Sequence, residues 1–251
     1  MKRCFILILA VYLLSTLSAM ADNNMKVVTF SDAGLEKEVD GITFDNNVLT
    51  IRNPGNYMLS GKLTNGQLSV DCAEEGKVTL YLNGVDIHTD GVAAVFIGEC
   101  QPKVVLSLVD QTENTVSNGI NILADDEEPN GAIFSQSDLV IEGEGSLKVT
   151  SLSSDGIVSK DDMEIDGGKI TVEAKRHGIK GKDSVKIYGG EITITAGRDG
   201  IKATNKKDPA RGYVTIRNSA VTIHCGDEPI QFITECTIEN AAITVAMNKE
   251  E

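Results

Sequence analysis

The stretch "DGIVSKDDMEIDGGKITVEAKRHGIKGKDSVKIYGGEITITAGRDGIKAT", Asp155–Thr204, decides how the whole chain is read. From Asp155 to His177 is 22 residues, from His177 to Asp199 another 22, and a Gly-Ile pair follows each of the three. The match continues through Met163, Val185 and Val214, then Ile165, Ile187 and Ile216. Further on, Ile170, Ile192, Val221 and Ile243 align, as do Val172, Ile194, Ile223 and Val245. The third copy is longer because "NKKDPARGY" stands before Val214. An upstream copy opens at Asn130 with "NGAIFSQSDLVIEGEGSLKVT", and a downstream one at Asp227 with "DEPIQ".

Inside each copy apolar residues alternate with polar ones, the period of a strand, and small residues at 167–168, 189–190 and 218–219 punctuate the runs. Three short strands per 22-residue copy, each with one inward stripe, predict an all-β fold: a parallel β-helix whose coils stack at about 4.8 Å. Equivalent residues then form columns. Residues 130–246 are the regular coils. Residues 22–129 alternate less regularly and are read as irregular coils of the same single domain, with a separate β-sandwich over 22–125 as the alternative.

The chain begins "MKRCFILILAVYLLSTLSAMAD": a basic head, an apolar run and Ala19-Met20-Ala21. This is the pattern of a secretory leader cut after Ala21, so residues 1–21 are expected to be removed and the mature chain secreted. No later run is apolar enough to span a bilayer, so no membrane span is expected. Loss of Lys2 and Arg3 leaves 21 basic residues against 37 acidic ones, a net charge of −16 that disfavours nucleic acid as a partner. Four cysteines remain, at 72, 100, 225 and 236; a Cys72–Cys100 bridge is open, and Cys225 and Cys236 align with core positions.

The columns expose candidate chemistry. Between Lys175 and Arg211 lie ten basic and four acidic residues, against the trend of the whole chain. Arg176 aligns with Arg198 and Lys180 with Lys202, and together with Lys182 they form a cationic strip suited to glycan carboxylates, since guanidinium groups bind carboxylates bidentately. The competing reading is a solvated face paired with neighbouring acidic coils. Two carboxylate pairs, Asp161 with Asp183 and Asp199 with Asp227, fall one coil apart, a spacing at which calcium would relieve repulsion. Ordinary turn aspartates capping local N–H groups are the alternative. Outward Thr171, Thr193, Thr222 and Thr244 read as good strand residues, and one outward Tyr188 makes no aromatic platform for sugars. His177 falls between Asp155 and Asp199, and is expected to separate like charges with its pKa raised by them.

Taken together, "LNGVDI", "DDEEPNGAIFS", "SDLVIEGEGSL", "DGIVSKDDMEI", "HGIKGKDSVKIYGGEITITAG" and "DGIKAT" resemble the secreted bacterial carbohydrate-binding domain-containing family over roughly residues 40–230. The resemblance implies a right-handed parallel β-helix like that of polysaccharide lyases. It also implies an association with calcium and with cellulose or acidic plant polysaccharides, without established catalysis. The expected function is therefore binding of an acidic polysaccharide, with a calcium-dependent lyase and a purely adhesive β-helix as alternatives. The chain has no Trp, which separates it from aromatic-rich cellulose binders.

Overall fold

A computed structural model of the protein describes residues 24–91, 93–100, 102–120 and 128–247. The expected leader, residues 1–21, and most of the acidic run Asp125–Glu128 lie outside them. Among the described residues there is no helix, and hence none long and apolar enough to cross a membrane. The strands form one 14-stranded and one nine-stranded sheet, paired in parallel apart from two short antiparallel contacts near the start.

A regular coil is built as its alternation demands. Asp155–Ser159 lies in the smaller sheet, and Asp162–Ala174 crosses into the larger one. That long strand turns at Gly167 and Gly168, whose φ angles of +114° and +78° disfavour any side chain. A Cβ on Gly167 would also sit 2.6 Å from the Gly143 carbonyl oxygen of the coil below. In the next coil the same path is divided into Ser184–Ile187 and Glu191–Ala196 around the Gly189-Gly190 corner.

The registers of the aliphatic columns are those that the repeat predicts. Ile157, Ile179, Ile201 and Ile230 pair in succession in the smaller sheet. In the larger one, Met163, Val185, Val214 and Cys236 form one inward column, and Val172, Ile194, Ile223 and Val245 another. Ile157, Ile179, Ile201, Val172, Ile194 and Ile223 are all 0% exposed. Each such side chain contributes about 1.5–3 kcal/mol by leaving water. A one-residue slip would turn a whole stripe outward, so the aliphatic columns fix the register. At the last coil the burial lapses, with Ile238 46% and Val245 45% exposed.

The less regular part joins the same two sheets. Met25–Ser31, Gly55–Leu63, Val78–Thr89 and Glu113–Asn118 pair in parallel toward Leu139–Ser151. Val48–Ile51, Gln67–Val70 and Val95–Ile97 continue the smaller sheet. One hydrophobic cluster extends from Val28 to Cys225. Cys72 and Cys100 are buried free thiols, the Cys72 Sγ donating to the Ile51 carbonyl at 3.8 Å, while Cys225 is buried and Cys236 is half-buried.

Candidate functional site: a cationic cleft on the smaller sheet

Strands Ile179–Gly181 and Ile201–Ala203 are three residues long, with their first and third residues buried and the middle lysine turned outward. Lys180 therefore stacks directly on Lys202. The turn before each strand carries an arginine, and the Arg198 N–H donates to the Arg176 carbonyl at 2.9 Å, so these two stack as well. Four of the five basic residues singled out in the sequence thus meet in one cleft of about 420 Å³, where Lys160 joins them.

The floor of the cleft is a buried polar column. The Gly156 N–H bonds the His177 carbonyl and the Gly178 N–H that of Asp199, which places Asp155, His177 and Asp199 on successive coils. They are 0%, 5% and 3% exposed. Asp155 accepts from the His177 backbone N–H at 3.1 Å and from Lys180 Nζ at 3.2 Å, with Arg176 Nε 3.7 Å away. Asp199 accepts from Lys202 Nζ at 2.8 Å and from the Glu228 N–H at 3.0 Å. The strip is thus largely paired with buried carboxylates of its own wall.

His177 corrects the sequence expectation. Both ring nitrogens are engaged: Nδ1 lies 3.2 Å from the donating Asp199 N–H and 3.1 Å from Asp199 Oδ2, and Nε2 lies 3.4 Å from Lys202 Nζ. Its pKa is lowered to about 4, not raised. Burial is the largest cause, and the Lys202 and Lys180 ammonium groups add to it against the pull of Asp155 and Asp199. The imidazole is a neutral piece of the floor, set between the Asp199 N–H and the Lys202 ammonium.

Lys182 is placed differently. It lines a neighbouring cleft of about 610 Å³ with Thr204, Asn205, Lys206, Lys207, Asp208 and Pro209, and Thr204 belongs to both clefts. Lys160, which the sequence reading passed over, lies one coil below Lys182 and pairs with Glu128. Its signal was present, because it precedes Lys182 by one repeat. A stacked aromatic pair, Phe96 and Phe134 with ring centroids 6.0 Å apart, was also passed over, since residues inserted between their coils break the repeat. Phe134 is 1% exposed and so presents no face to a sugar.

Of the two proposed calcium pairs, Asp161 and Asp183 do stand on adjacent coils, the Asp183 N–H donating to the Asp161 carbonyl at 3.1 Å. Burial, then the neighbouring charges of Asp183 and Asp138, raise the Asp161 pKa. Yet Asp183 already accepts from Asn205 Nδ2 at 2.6 Å and faces Arg211 Nη1 at 3.2 Å. The other pair is out of register: Ile201 pairs with Ile230, so Glu228 stacks on Asp199, while the Asp227 N–H bonds the Arg198 carbonyl at 3.3 Å. The extra residue in "DEPI" relative to "DGI" produces the slip, since the isoleucines hold the register. Calcium wants about 6–8 oxygen ligands. Among the described residues no three His, Cys, Asp or Glu converge to supply them, and Lys202 and Arg211 stand against the carboxylates instead. Neither of these two pairs fits a calcium ion.

Three likenesses bear on this arrangement. A protein of Acetivibrio thermocellus described as carbohydrate-binding domain-containing is 34% identical over 156 residues, which are 61% of this chain and 54% of that protein. The chain thus spans about half the length of that relative. A solved structure described as a polysaccharide lyase-like protein from C. thermocellum, in its gadolinium derivative, superimposes with a TM-score of 0.76 at 31% identity. The match covers 90% of this chain and 96% of the other. Residues 45–251 match the pattern of the carbohydrate-binding domain-containing protein family, and the chain belongs to that family.

Proposed function

We propose that the protein is a secreted, right-handed β-helix that binds an acidic polysaccharide along the cationic cleft. The observation that carries this reading is the convergence of Lys160, Arg176, Lys180, Arg198 and Lys202 on one cleft of a chain whose net charge is −14. Membership of a carbohydrate-binding family supports the polymer class. The right hand follows the rule for parallel strands joined by crossovers. Uronic-acid carboxylates are the groups that such a cluster would hold, in charge-assisted hydrogen bonds. The geometry supports binding better than proton abstraction: His177, neutral in the cleft, is 5% exposed with both ring nitrogens occupied.

A glycan array with the full chain, run with calcium and with a chelator, tests the reading. Retention on polygalacturonate and other uronans in both conditions supports it. Retention on neutral glycans alone, or on none, overturns it, the second result favouring an adhesive role. Retention lost in chelator would bring back the calcium bridge expected from the sequence.

A further inference from the structure

We propose that the loop inserted after Ala203 forms a second anion subsite beside the cleft, so that the protein selects linear polyanions long enough to occupy both. This rests on the acidic-glycan reading above. The two preceding coils pass from Ser159 to Asp162 and from Gly181 to Ser184 with two residues between strands. The third leaves its strand at Ala203 and resumes at Tyr213. From Lys206 to Ala210 the loop is exposed, so it adds no side chain to the core.

Its shape is nevertheless fixed. Asn205 Oδ1 accepts from the N–H groups of Lys207 and Asp208 at 2.9 and 3.1 Å, and Asn205 Nδ2 donates to Asp183 at 2.6 Å. The Asp208 carboxylate turns back to the Ala210 N–H at 2.9 Å. A loop held in this way loses little further freedom when a ligand binds.

The lysines of this cleft differ from those of the first. Lys180 and Lys202 lie on buried carboxylates, whereas Lys182, Lys206 and Lys207 form no ion pair among the described residues. Apart from the attraction between Lys182 and Asp161, their charge is available to an incoming anion. The two clefts also share a wall at Thr204, whose N–H donates to the Lys182 carbonyl at 3.1 Å. A chain bearing a carboxylate on every sugar would meet the paired cluster first and the unpaired lysines next.

The test is the ratio of affinities for octagalacturonate and digalacturonate, measured by calorimetry at low ionic strength on the full chain and on K206Q/K207Q. The wild type should prefer the octamer by at least about tenfold, and the variant should lose most of that preference, a change of about 1.4 kcal/mol. K206E/K207E should weaken octamer binding further, and an unchanged melting temperature in both variants shows that folding is intact. An equal ratio in wild type and variants overturns the second subsite and leaves the polysaccharide-binding reading standing. No binding of either oligomer by the wild type overturns both.

Discussion

The two clefts carry like charges that do unlike work. In the first, Lys180, Lys202 and Arg176 lie within 4 Å of Asp155 or Asp199, carboxylates that are 0% and 3% exposed. In the second, Lys206 and Lys207 stand on an exposed, internally bonded loop, with Lys182 beside them on the exposed turn of the preceding coil. Buried charges require partners because desolvation is costly, so the first set holds the wall together before it holds any ligand. Exposed charges contribute little to folding and remain free to act on a partner.

The largest effect should come from breaking the buried set. Asp155→Ala leaves Lys180, Arg176 and the His177 N–H without their common acceptor, and should lower the unfolding free energy by about 3–5 kcal/mol in a denaturant titration. A loss below about 1 kcal/mol would mean that water reaches the column. Asp155→Asn with Lys180→Gln, which removes the charges in pairs, should cost less than the single alanine change.

A pH profile comes next. With a folded pKa of about 4 against 6.5, His177 remains neutral in the native state while the unfolded chain takes up a proton. Its contribution is fully present above pH 6.5 and is lost as pH falls from 6.5 to 4. His177→Gln should flatten the profile between pH 6.5 and 5, above the range of ordinary carboxylates. A profile as steep as the wild type's would show that the imidazole is not held neutral.

The smallest effect on stability belongs to the loop. K206Q/K207Q should shift the unfolding free energy by no more than about 0.5 kcal/mol, as for surface positions without partners. A larger loss would place those lysines with the buried set and erase the contrast between the clefts.

Much of this contrast was only half legible in the sequence. The columns were readable because aliphatic side chains recur at one interval and the core tolerates no slip, as with Ile157, Ile179 and Ile201. The alignments of Lys180 with Lys202 and of Arg176 with Arg198 followed from them. The sign of the His177 shift did not, because a repeat tells which residues stack but not how deeply they are buried or where a lysine tip ends. Asp199 was matched to Asp227 through the shared Asp, whereas Ile230 sets the register and brings Glu228 into line. Lys206 and Lys207 were counted in the basic stretch, but an insertion has no counterpart in the repeat, so its cleft could not be placed.

Binding of polygalacturonate in the presence of a chelator, followed by calorimetry as ionic strength is raised, tests most directly whether these cationic clefts hold an acidic glycan. Binding at low salt that weakens steeply as the Debye length shrinks from about 30 Å at 0.01 M to about 8 Å at 0.15 M is the expected result. Absence of binding at low salt, or an affinity indifferent to salt, would contradict it.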